Sequence, residues 1–292
     1  MDAFNYVAVS NIAEAMAWGK SSQTFYLAGG TDILVKMKAG KLQPSVLVDL
    51  KKVPELTGIT IHEQQVEIGT LTTIREIETS PIIIERLNIL SSAAGKLGSV
   101  QVRNRATVGG NICNAAPSAE TVPALLCLEA ETEIIGSRGV RRIPLEDFFT
   151  GPGKTVLQEG EILGKIVVPI PPRTTQGIYF KLSVRKAMDI AFVGVAVLLD
   201  VAGGQIVKAR IGLGAVAPVP MRAKEAEALL TGNSLSKDLI QEAADVAAKA
   251  CQPIDDIRAS AAYRREMVRA LTEEGLSKLY SGNMLDGGAQ HE

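Results

Sequence analysis

The first part of the chain alternates short strand-like and helix-like hydrophobic patterns. Apolar runs at 24–28 and 44–50 predict strands, and alternation on both sides of HEQQ within 58–74 predicts a hairpin. Residues 74–98 have the three-to-four-residue spacing that is typical of helices. The prolines at 169–172 interrupt this pattern and favour a boundary between two parts of the chain.

The pattern after this boundary is different. β-rich runs at 178–185, 191–201 and 205–216 predict a three-stranded antiparallel meander, with AGG as one of its turns, and the remainder is helical. This order favours an α+β protein of two domains, without the regular βαβ alternation of a doubly wound sheet. The predicted domains are 1–175, with subdomains at about 1–55 and 56–175, and 176–285, followed by a tail at 286–292.

The composition argues against several classes of function. A net charge of -1 lacks the basic excess expected of a nucleic-acid-binding protein. No signal peptide is visible, and the longest apolar runs are shorter than the ~20 residues of a membrane helix. The three cysteines, Cys113, Cys127 and Cys251, form no CxxC pair, which favours a cytoplasmic location and argues against a zinc or iron–sulfur site. His62, at a predicted hairpin turn, and His291 are poorly placed for catalysis or metal binding.

Two glycine pairs are the candidate ligand-binding features of the sequence. In LAGGTD, Gly29 and Gly30 lie between a predicted strand and a predicted helix, where free N–H groups could hold a diphosphate. An ordinary turn with Thr31 or Asp32 as the helix cap explains the same residues, since Asp32 would compete with an anion for those amides. The Rossmann motif GxGxxG is absent, and no acidic residue is evident on a second parallel strand.

The second pair changes the interpretation. TVGGN at 107–111 repeats the arrangement of hydroxyl, two glycines and a polar side chain, so two glycine turns could clamp a diphosphate from opposite sides. Glu120 could then accept hydrogen bonds from ribose or ribityl hydroxyls, and the small residues Ala115, Ala116 and Ser118 would let a flat ring approach. We therefore predict a dinucleotide whose ring performs redox chemistry.

Several stretches resemble a known family. AGGTD, QVRNRATVGGNICNAAPSAET, RGVRRIPLEDFFTGPGKT, EILGKIVVPIPP and YFKLSVRKAMDIA occur in the order found in the FAD-binding subunits of the molybdenum hydroxylases. The similarity extends over nearly the whole chain, including ASAAYRREMVRAL near its end, and is strongest to the xanthine dehydrogenase type. It implies a FAD-binding domain of the vanillyl-alcohol-oxidase (PCMH) type, followed by a smaller α+β domain.

The resemblance also implies a set of residues that bind FAD. They are Tyr26, Leu27, Ala28, Gly29, Gly30, Thr31, Asp32, Ile33, Leu97, Thr107, Val108, Gly109, Gly110, Asn111, Glu120, Leu163 and Lys181. Glu120 stands where the family usually has Asp, and Leu97 stands where an aromatic residue is frequent. No residue of this chain is expected to act as a catalytic acid or base or to bind a metal.

The implied function is that of an oxidoreductase subunit. Electrons would come from the [2Fe–2S] clusters of a partner subunit, pass through non-covalent FAD and reach NAD⁺, while a molybdopterin subunit hydroxylates the substrate in a hetero-oligomer. A purine is the favoured substrate, with nicotinate, an aldehyde or another heterocycle as alternatives. Arg185 and Lys186 could attract the NAD⁺ phosphates, or could belong to an ordinary solvated turn.

Two other functions fit the same residues. One is a stand-alone flavin oxidoreductase of the same fold, and the other is an assembly subunit that has lost the cofactor. Among the remaining residues, Arg103 and Arg105 could balance diphosphate charge or face solvent. Cys113 and Trp18 are expected to be packing residues, and so are Phe148 and Phe149.

Overall fold

The chain begins with a three-stranded parallel sheet. The computed structural model describes residues 3–21, 23–185 and 187–286. Strands β1 (Asn5–Ala8), β2 (Thr24–Leu27) and β3 (Val46–Asp49) lie in the order β1–β3–β2, connected by helices α1 (Ile12–Trp18) and α2 (Ile33–Lys38). The sequence pattern predicted β2 and β3 but missed β1, so this unit alternates strands and helices more regularly than expected.

Helix α1 begins because Asn11 caps it. The Asn11 side chain accepts a hydrogen bond from the N–H of Glu14 at 2.8 Å, as a helix N-cap does. Ala15 is the residue of α1 that is fully buried, whereas Trp18 at the end of the helix is 43% exposed. The expectation that Trp18 lies in the core is therefore wrong.

An antiparallel sheet of five strands follows. Its strands are β4 (Ile59–His62), β5 (Gln65–Gly69), β6 (Glu131–Gly136), β7 (Gly139–Pro144) and β10 (Ile162–Pro169), in the order β4–β5–β10–β6–β7. A two-stranded sheet of β8 (Phe149–Gly151) and β9 (Lys154–Thr155) lies between β7 and β10 in the chain. The predicted hairpin is confirmed, since His62 pairs with Gln65 across its turn.

Short helices fill the connection between β5 and β6. They are α3 (Ile74–Thr79), α4 (Pro81–Arg86), α5 (Asn88–Gly95), α6 (Val100–Arg103), α7 (Val108–Cys113) and α8 (Thr121–Cys127). The helical spacing at 74–98 is confirmed, but as three helices rather than one. Ser80 ends α3 and caps α4, whose first residue is Pro81, a residue that cannot continue a preceding helix.

The last part of the chain is a sheet covered by helices. Strands β11 (Thr175–Leu182), β12 (Val193–Ala202) and β13 (Gln205–Gly214) form the predicted meander, and the short β14 (Met221–Arg222) adds a fourth strand. Helices α9 (Lys224–Leu230), α10 (Lys237–Lys249) and α11 (Ala261–Asp286) follow. The predicted α+β class is confirmed. The division at residue 175 coincides with the first residue of β11 and stays a prediction.

Helix α8 packs directly on this sheet. A Cβ atom on Gly212 would lie 2.3 Å from the carbonyl oxygen of Pro123, so only glycine lets the helix approach so closely. Phe148 and Phe149 are buried in the core around α8, as expected. In the part of the chain that the structure describes, no helix is long and apolar enough to cross a membrane.

Arg264 joins α11 to the loops at the end of the β-sheet. Its guanidinium donates to the carbonyl oxygens of Phe192 and Ala215, both at 3.0 Å, and lies 2.7 Å from an Asp256 oxygen. The side chain is 4% exposed. Removing one member of such a buried set leaves its partners without compensation, which is costly.

We predict that Arg264→Met lowers the free energy of unfolding by about 2–4 kcal/mol, because it removes the buried donor to two carbonyls and one of the cationic partners of the Asp256 carboxylate. Urea denaturation followed by circular dichroism measures the change. Arg269→Met on the same helix is the control, since Arg269 makes only half-exposed pairs with Glu266 and Glu273 and should cost less than about 1 kcal/mol. Equal losses in the two variants would contradict the assignment.

A second prediction concerns pH. Burial alone would raise the pKa of Asp256, but hydrogen bonds from the Arg258 N–H, the Arg264 guanidinium and the Ala259 N–H outweigh it and lower the pKa to about 2. A depressed pKa means that the ionised carboxylate stabilises the fold above about pH 4 and loses this effect as the pH falls towards 2. The stability difference between the unchanged chain and Asp256→Asn should therefore shrink over this range in urea titrations. A stability difference that stays constant between pH 4 and pH 2 would refute this prediction.

Candidate functional site

The loop between β2 and α2 presents a run of main-chain donors. Within the described residues, the N–H groups of Gly29 to Ile33 donate to no protein acceptor. Gly30 has a φ of 79°, a left-handed conformation that glycine adopts without strain and that turns the chain here. Successive free N–H groups in such a turn form a concave site for an anion. The first glycine turn thus offers a run of free main-chain donors that could hold an anion.

Asp32 does not cap the helix that follows this turn. It occupies the N-cap position of α2, but its side chain makes no capping hydrogen bond. Its carboxylate instead accepts from the Asn114 amide at 3.3 Å, and the Lys36 ammonium donates to the Asn114 oxygen at 2.6 Å. The alternative in which Asp32 consumes the amides as a helix cap is therefore wrong.

The second glycine pair is built differently from the prediction. Gly109 and Gly110 lie in the first turn of α7, and Thr107 is its N-cap, accepting from the Gly110 N–H at 3.0 Å. The N–H of Gly109 donates to the Thr70 carbonyl at 2.9 Å. The main-chain donors of this segment are thus used within the protein. What it can offer a ligand is the hydroxyl hydrogen of Thr107 and the amide NH₂ of Asn111, whose oxygen accepts from Thr121 at 2.6 Å.

The glycines of both segments permit close contact between main chains. A Cβ on Gly29 would lie 1.9 Å from the carbonyl oxygen of Arg105, immediately before the second segment. A Cβ on Gly109 would lie 2.4 Å from the Thr70 side chain. Both distances are far inside van der Waals contact, so a larger residue at either position requires the main chains to separate. The structure therefore brings the two predicted segments together.

Leu163 and Leu97 are connected to this region through their main-chain carbonyl groups. The Leu163 carbonyl accepts from the Thr70 hydroxyl at 2.8 Å, and the strand is irregular at Gly164. Leu97 precedes the second segment, and its carbonyl accepts from the Arg103 guanidinium at 3.0 Å. The two leucines are 3% and 7% exposed, so both side chains are almost completely buried.

Glu120 and Lys181 form a buried ion pair. Their charged atoms are 2.8 Å apart, and the side chains are 11% and 8% exposed. Lys181 also donates to the carbonyl oxygens of Lys96 at 3.0 Å and Asp189 at 2.8 Å. The pair joins the start of α8 to β11. Two predicted residues from distant parts of the sequence are thus in direct contact.

The pKa of Glu120 lies above its ordinary value. Burial is the main cause, since it disfavours the charged carboxylate, while the charge and hydrogen bond of Lys181 act in the opposite direction. The charge of Asp32, in the first loop, acts in the same direction as burial and contributes least.

Other predicted residues contribute main chain only. The Tyr26 hydroxyl donates to the Ala15 carbonyl at 3.3 Å, and burial raises its pKa to about 12. Leu27 packs in a small core with Met37 and Leu47. Ala28 packs against the neighbouring core, and Val108 is fully buried, so both side chains also face the protein interior. These residues position the loops and direct no polar side chain to the site.

Two expectations need correction. Arg103 neither faces solvent nor is free for an anion, because it pairs with Glu78 at 2.8 Å and is 10% exposed. Asp49 is an acidic residue at the end of a parallel strand next to β2, which the sequence pattern did not reveal. Its carboxylate is already hydrogen-bonded to the Tyr6 hydroxyl and Lys51.

The thiol of Cys113 is protected from ionisation. Its side chain packs against the main core, and burial raises its pKa to about 12. Its environment therefore suits a packing residue. Lys186, His291 and residues 287–292 of the predicted tail lie outside the described residues.

Sequence reasoning missed three residues that organise the site. Asn114 and Lys36 connect the first loop to the end of α7, and Thr70 contacts both the second segment and Leu163. Asn114 lies within the quoted motif, three residues after Asn111, and Lys36 follows Asp32 at helical spacing. The four-residue spacing from Asp32 could have indicated that Lys36 lies near it on one helix face, whereas no sequence pattern indicated Thr70.

A cavity of about 340 Å³ lies elsewhere, where the two parts of the chain are connected. Arg86, Asn88, Arg173 and Thr175 are among its lining residues, and none of the predicted FAD residues lines it.

The sequence matches two protein-family profiles in consecutive order. Residues 2–171 match the FAD binding domain in molybdopterin dehydrogenase, and residues 178–279 match the CO dehydrogenase flavoprotein C-terminal domain. The carbon monoxide dehydrogenase medium chain of Hydrogenophaga pseudoflava is 35% identical, with coverage of 95% of this chain and 97% of the relative. The xanthine dehydrogenase FAD-binding subunit of Escherichia coli O157:H7 is 32% identical, with 95% and 96% coverage.

A solved structure agrees with these relatives. Quinoline 2-oxidoreductase from Pseudomonas putida 86 superimposes with a TM-score of 0.90 at 31% identity, covering 97% of this chain and 99% of that chain. The fold and site thus define a flavoprotein with a PCMH-type FAD-binding domain and a separate C-terminal domain. The chain belongs to the family of FAD-binding subunits of the molybdenum hydroxylases, as its motifs predicted.

We predict that Gly29→Ala weakens FAD binding by at least about tenfold, because the added methyl group would separate two main-chain segments that are both expected to contact the ligand. Fluorescence titration of the FAD-free chain measures the dissociation constant. Gly151→Ala is the control, since the nearest atom to its Cβ would be a Lys154 carbon at 3.9 Å. Unchanged affinity in Gly29→Ala would show that the diphosphate lies elsewhere.

Proposed function

We propose that this chain transfers electrons from the [2Fe–2S] clusters of a partner subunit through non-covalent FAD to NAD⁺, within a hetero-oligomer that also contains a molybdopterin subunit. The observation that carries the proposal is the run of five free N–H groups at Gly29–Ile33, beside the buried Glu120–Lys181 pair. Relatives named as a medium chain and a FAD-binding subunit support an assembly of several chains. When bound, FAD supplies a redox centre that can exchange electrons singly or in pairs.

The chain's own residues would bind and orient this cofactor. The free N–H groups of the first loop would donate to the diphosphate, and Thr107 and Asn111 would add side-chain donors from the second segment. Glu120 would accept from a ribityl hydroxyl. Lys181 is held by three acceptors, so its charge is fixed in position rather than mobile. Leu97 and Leu163 would exclude water from the ring.

Arg185 is the residue that we assign to the acceptor. Its N–H donates to the Asp189 carboxylate at 2.7 Å, and its guanidinium donates to the Met188 carbonyl at 2.6 Å. The side chain is still 67% exposed. Because Asp189 also accepts from Lys181, Arg185 lies on the loop next to the candidate site. An exposed cation there would attract the phosphates of NAD⁺.

The substrate of the complex would be set by the molybdenum subunit. The relatives' names refer to carbon monoxide, xanthine and quinoline, at identities between 31% and 35%. The similarity therefore does not single out the purine that the sequence favoured, and the proposal leaves substrate choice to the partner. A cytoplasmic location is part of the proposal, supported by three free cysteines.

We predict that Arg185→Glu raises the KM for NAD⁺ about tenfold in the complete complex, because the reversed charge repels the phosphates. Steady-state kinetics with varied NAD⁺ measures this, and substrate-driven reduction of the flavin should keep its rate. Arg173→Glu has the same charge change on an exposed residue away from the site and should leave the KM unchanged.

Two results would oppose this proposal. An unchanged KM in Arg185→Glu would remove the assignment of the acceptor site. Oxidation of an organic substrate by the isolated FAD-loaded chain would favour a stand-alone flavin oxidoreductase, and a chain that takes up no FAD would favour an assembly subunit.

A further inference from the structure

We infer that Asn114 is a positioning residue for FAD, which holds the Asp32 carboxylate away from the main-chain donors that bind the diphosphate. The inference rests on the proposed position of FAD at the loop of Gly29–Ile33. The role is assigned to the hydrogen bond between the Asn114 and Asp32 side chains, neither of which is proposed to contact FAD directly.

Asp32 stands where it could block the site. An aspartate at an N-cap position ordinarily accepts from N–H groups in the first turn of its helix. In α2 these would be the N–H groups of Leu34 and Val35, so the charge would lie beside the free donors of Gly29–Ile33, where the diphosphate is proposed to bind. A carboxylate at that position would repel a diphosphate held by those donors.

The structure shows what draws Asp32 away. The Asn114 NH₂ donates to the Asp32 carboxylate at 3.3 Å, and the Asn114 oxygen accepts from the Lys36 ammonium at 2.6 Å. An amide can donate and accept at once, so Asn114 connects the two opposite charges. Lys36 fixes the orientation of the amide, because the reversed orientation would direct the NH₂ group towards a cation.

Asn114 itself is firmly placed. It is the C-cap of α7, with φ −64° and ψ −19°, and its N–H donates to the Gly110 carbonyl at 3.0 Å. The residue that holds Asp32 therefore belongs to the second glycine segment. The same contact that removes Asp32 from the donors also aligns the two segments that bind the ligand.

The charge of Asp32 matters for the site as a whole. It contributes to raising the pKa of Glu120, so it lies within electrostatic range of the groups that would contact FAD. Without Asn114, the carboxylate is free to rotate towards the helix end. The contact is exposed, and one exposed hydrogen bond contributes modestly, which corresponds to about three- to tenfold in affinity.

A double-mutant cycle tests the inference, with the dissociation constant of FAD measured by fluorescence titration on the full chain. Asn114→Ala should raise the constant about three- to tenfold when Asp32 is present. In the Asp32→Ala background the same change should have less than about a twofold effect, because no carboxylate remains to compete. A purely structural role of Asn114 would give equal effects in both backgrounds, and that result would overturn the inference.

Two further variants make the result specific. Asn114→Asp keeps the size of the side chain, loses the donor and adds repulsion to Asp32, so it should weaken binding at least as much as alanine, and less so at high salt. Asn104→Ala is the matched control, since Asn104 also ends a short helix, with φ −66° and ψ −13°, and should leave the affinity unchanged. If Gly29→Ala binds FAD normally, the proposed site fails; if only the cycle shows no coupling, this inference alone fails.

Discussion

The candidate site depends on direct main-chain contact between two segments that are distant in the sequence. Gly29 lies against the Arg105 carbonyl, and Gly109 lies against Thr70, at distances that leave no room for a Cβ atom. Everything else at the site is arranged around this contact. The N–H groups of Gly29–Ile33 donate to no protein acceptor within the described residues, whereas the N–H groups of the second segment are hydrogen-bonded within the protein.

Charge balance is the second organising feature. A site for a diphosphate contains two carboxylates, which would repel it if they were left uncompensated. Glu120 is paired with Lys181 in a buried contact, and Asp32 is held by Asn114 with Lys36 nearby. Because Lys181 comes from β11, the last sheet contributes a charge to the candidate site. Helix α8, which Glu120 precedes, packs on the same sheet at Gly212.

Much of the fold was predictable from local patterns. The hairpin at His62 and Gln65 and the long strands β12 and β13 follow from hydrophobic periodicity, which depends only on neighbouring residues. Strand β1 was missed because it is four residues long with no fully buried position, and β14 because it has two residues. The candidate site was predicted as a set of residues through motif resemblance, and the structure brings several of these residues into contact. The available hydrogen-bond donors were harder to predict. The two glycine pairs look alike in sequence, yet one forms a turn with free N–H groups and the other begins a helix whose N–H groups are already hydrogen-bonded.

The sequence by itself determined the α+β class, the family and the residues from which a dinucleotide site could be built, because these properties reside in composition, periodicity and short motifs. The tertiary structure decided which atoms are available. Whether an N–H is free, whether Asp32 caps its helix, and whether Arg103 faces a ligand or Glu78 all depend on partners far away in the chain. Each of these properties depends on hydrogen-bond acceptors or opposite charges within a few ångströms. Those partners become neighbours only when the chain folds.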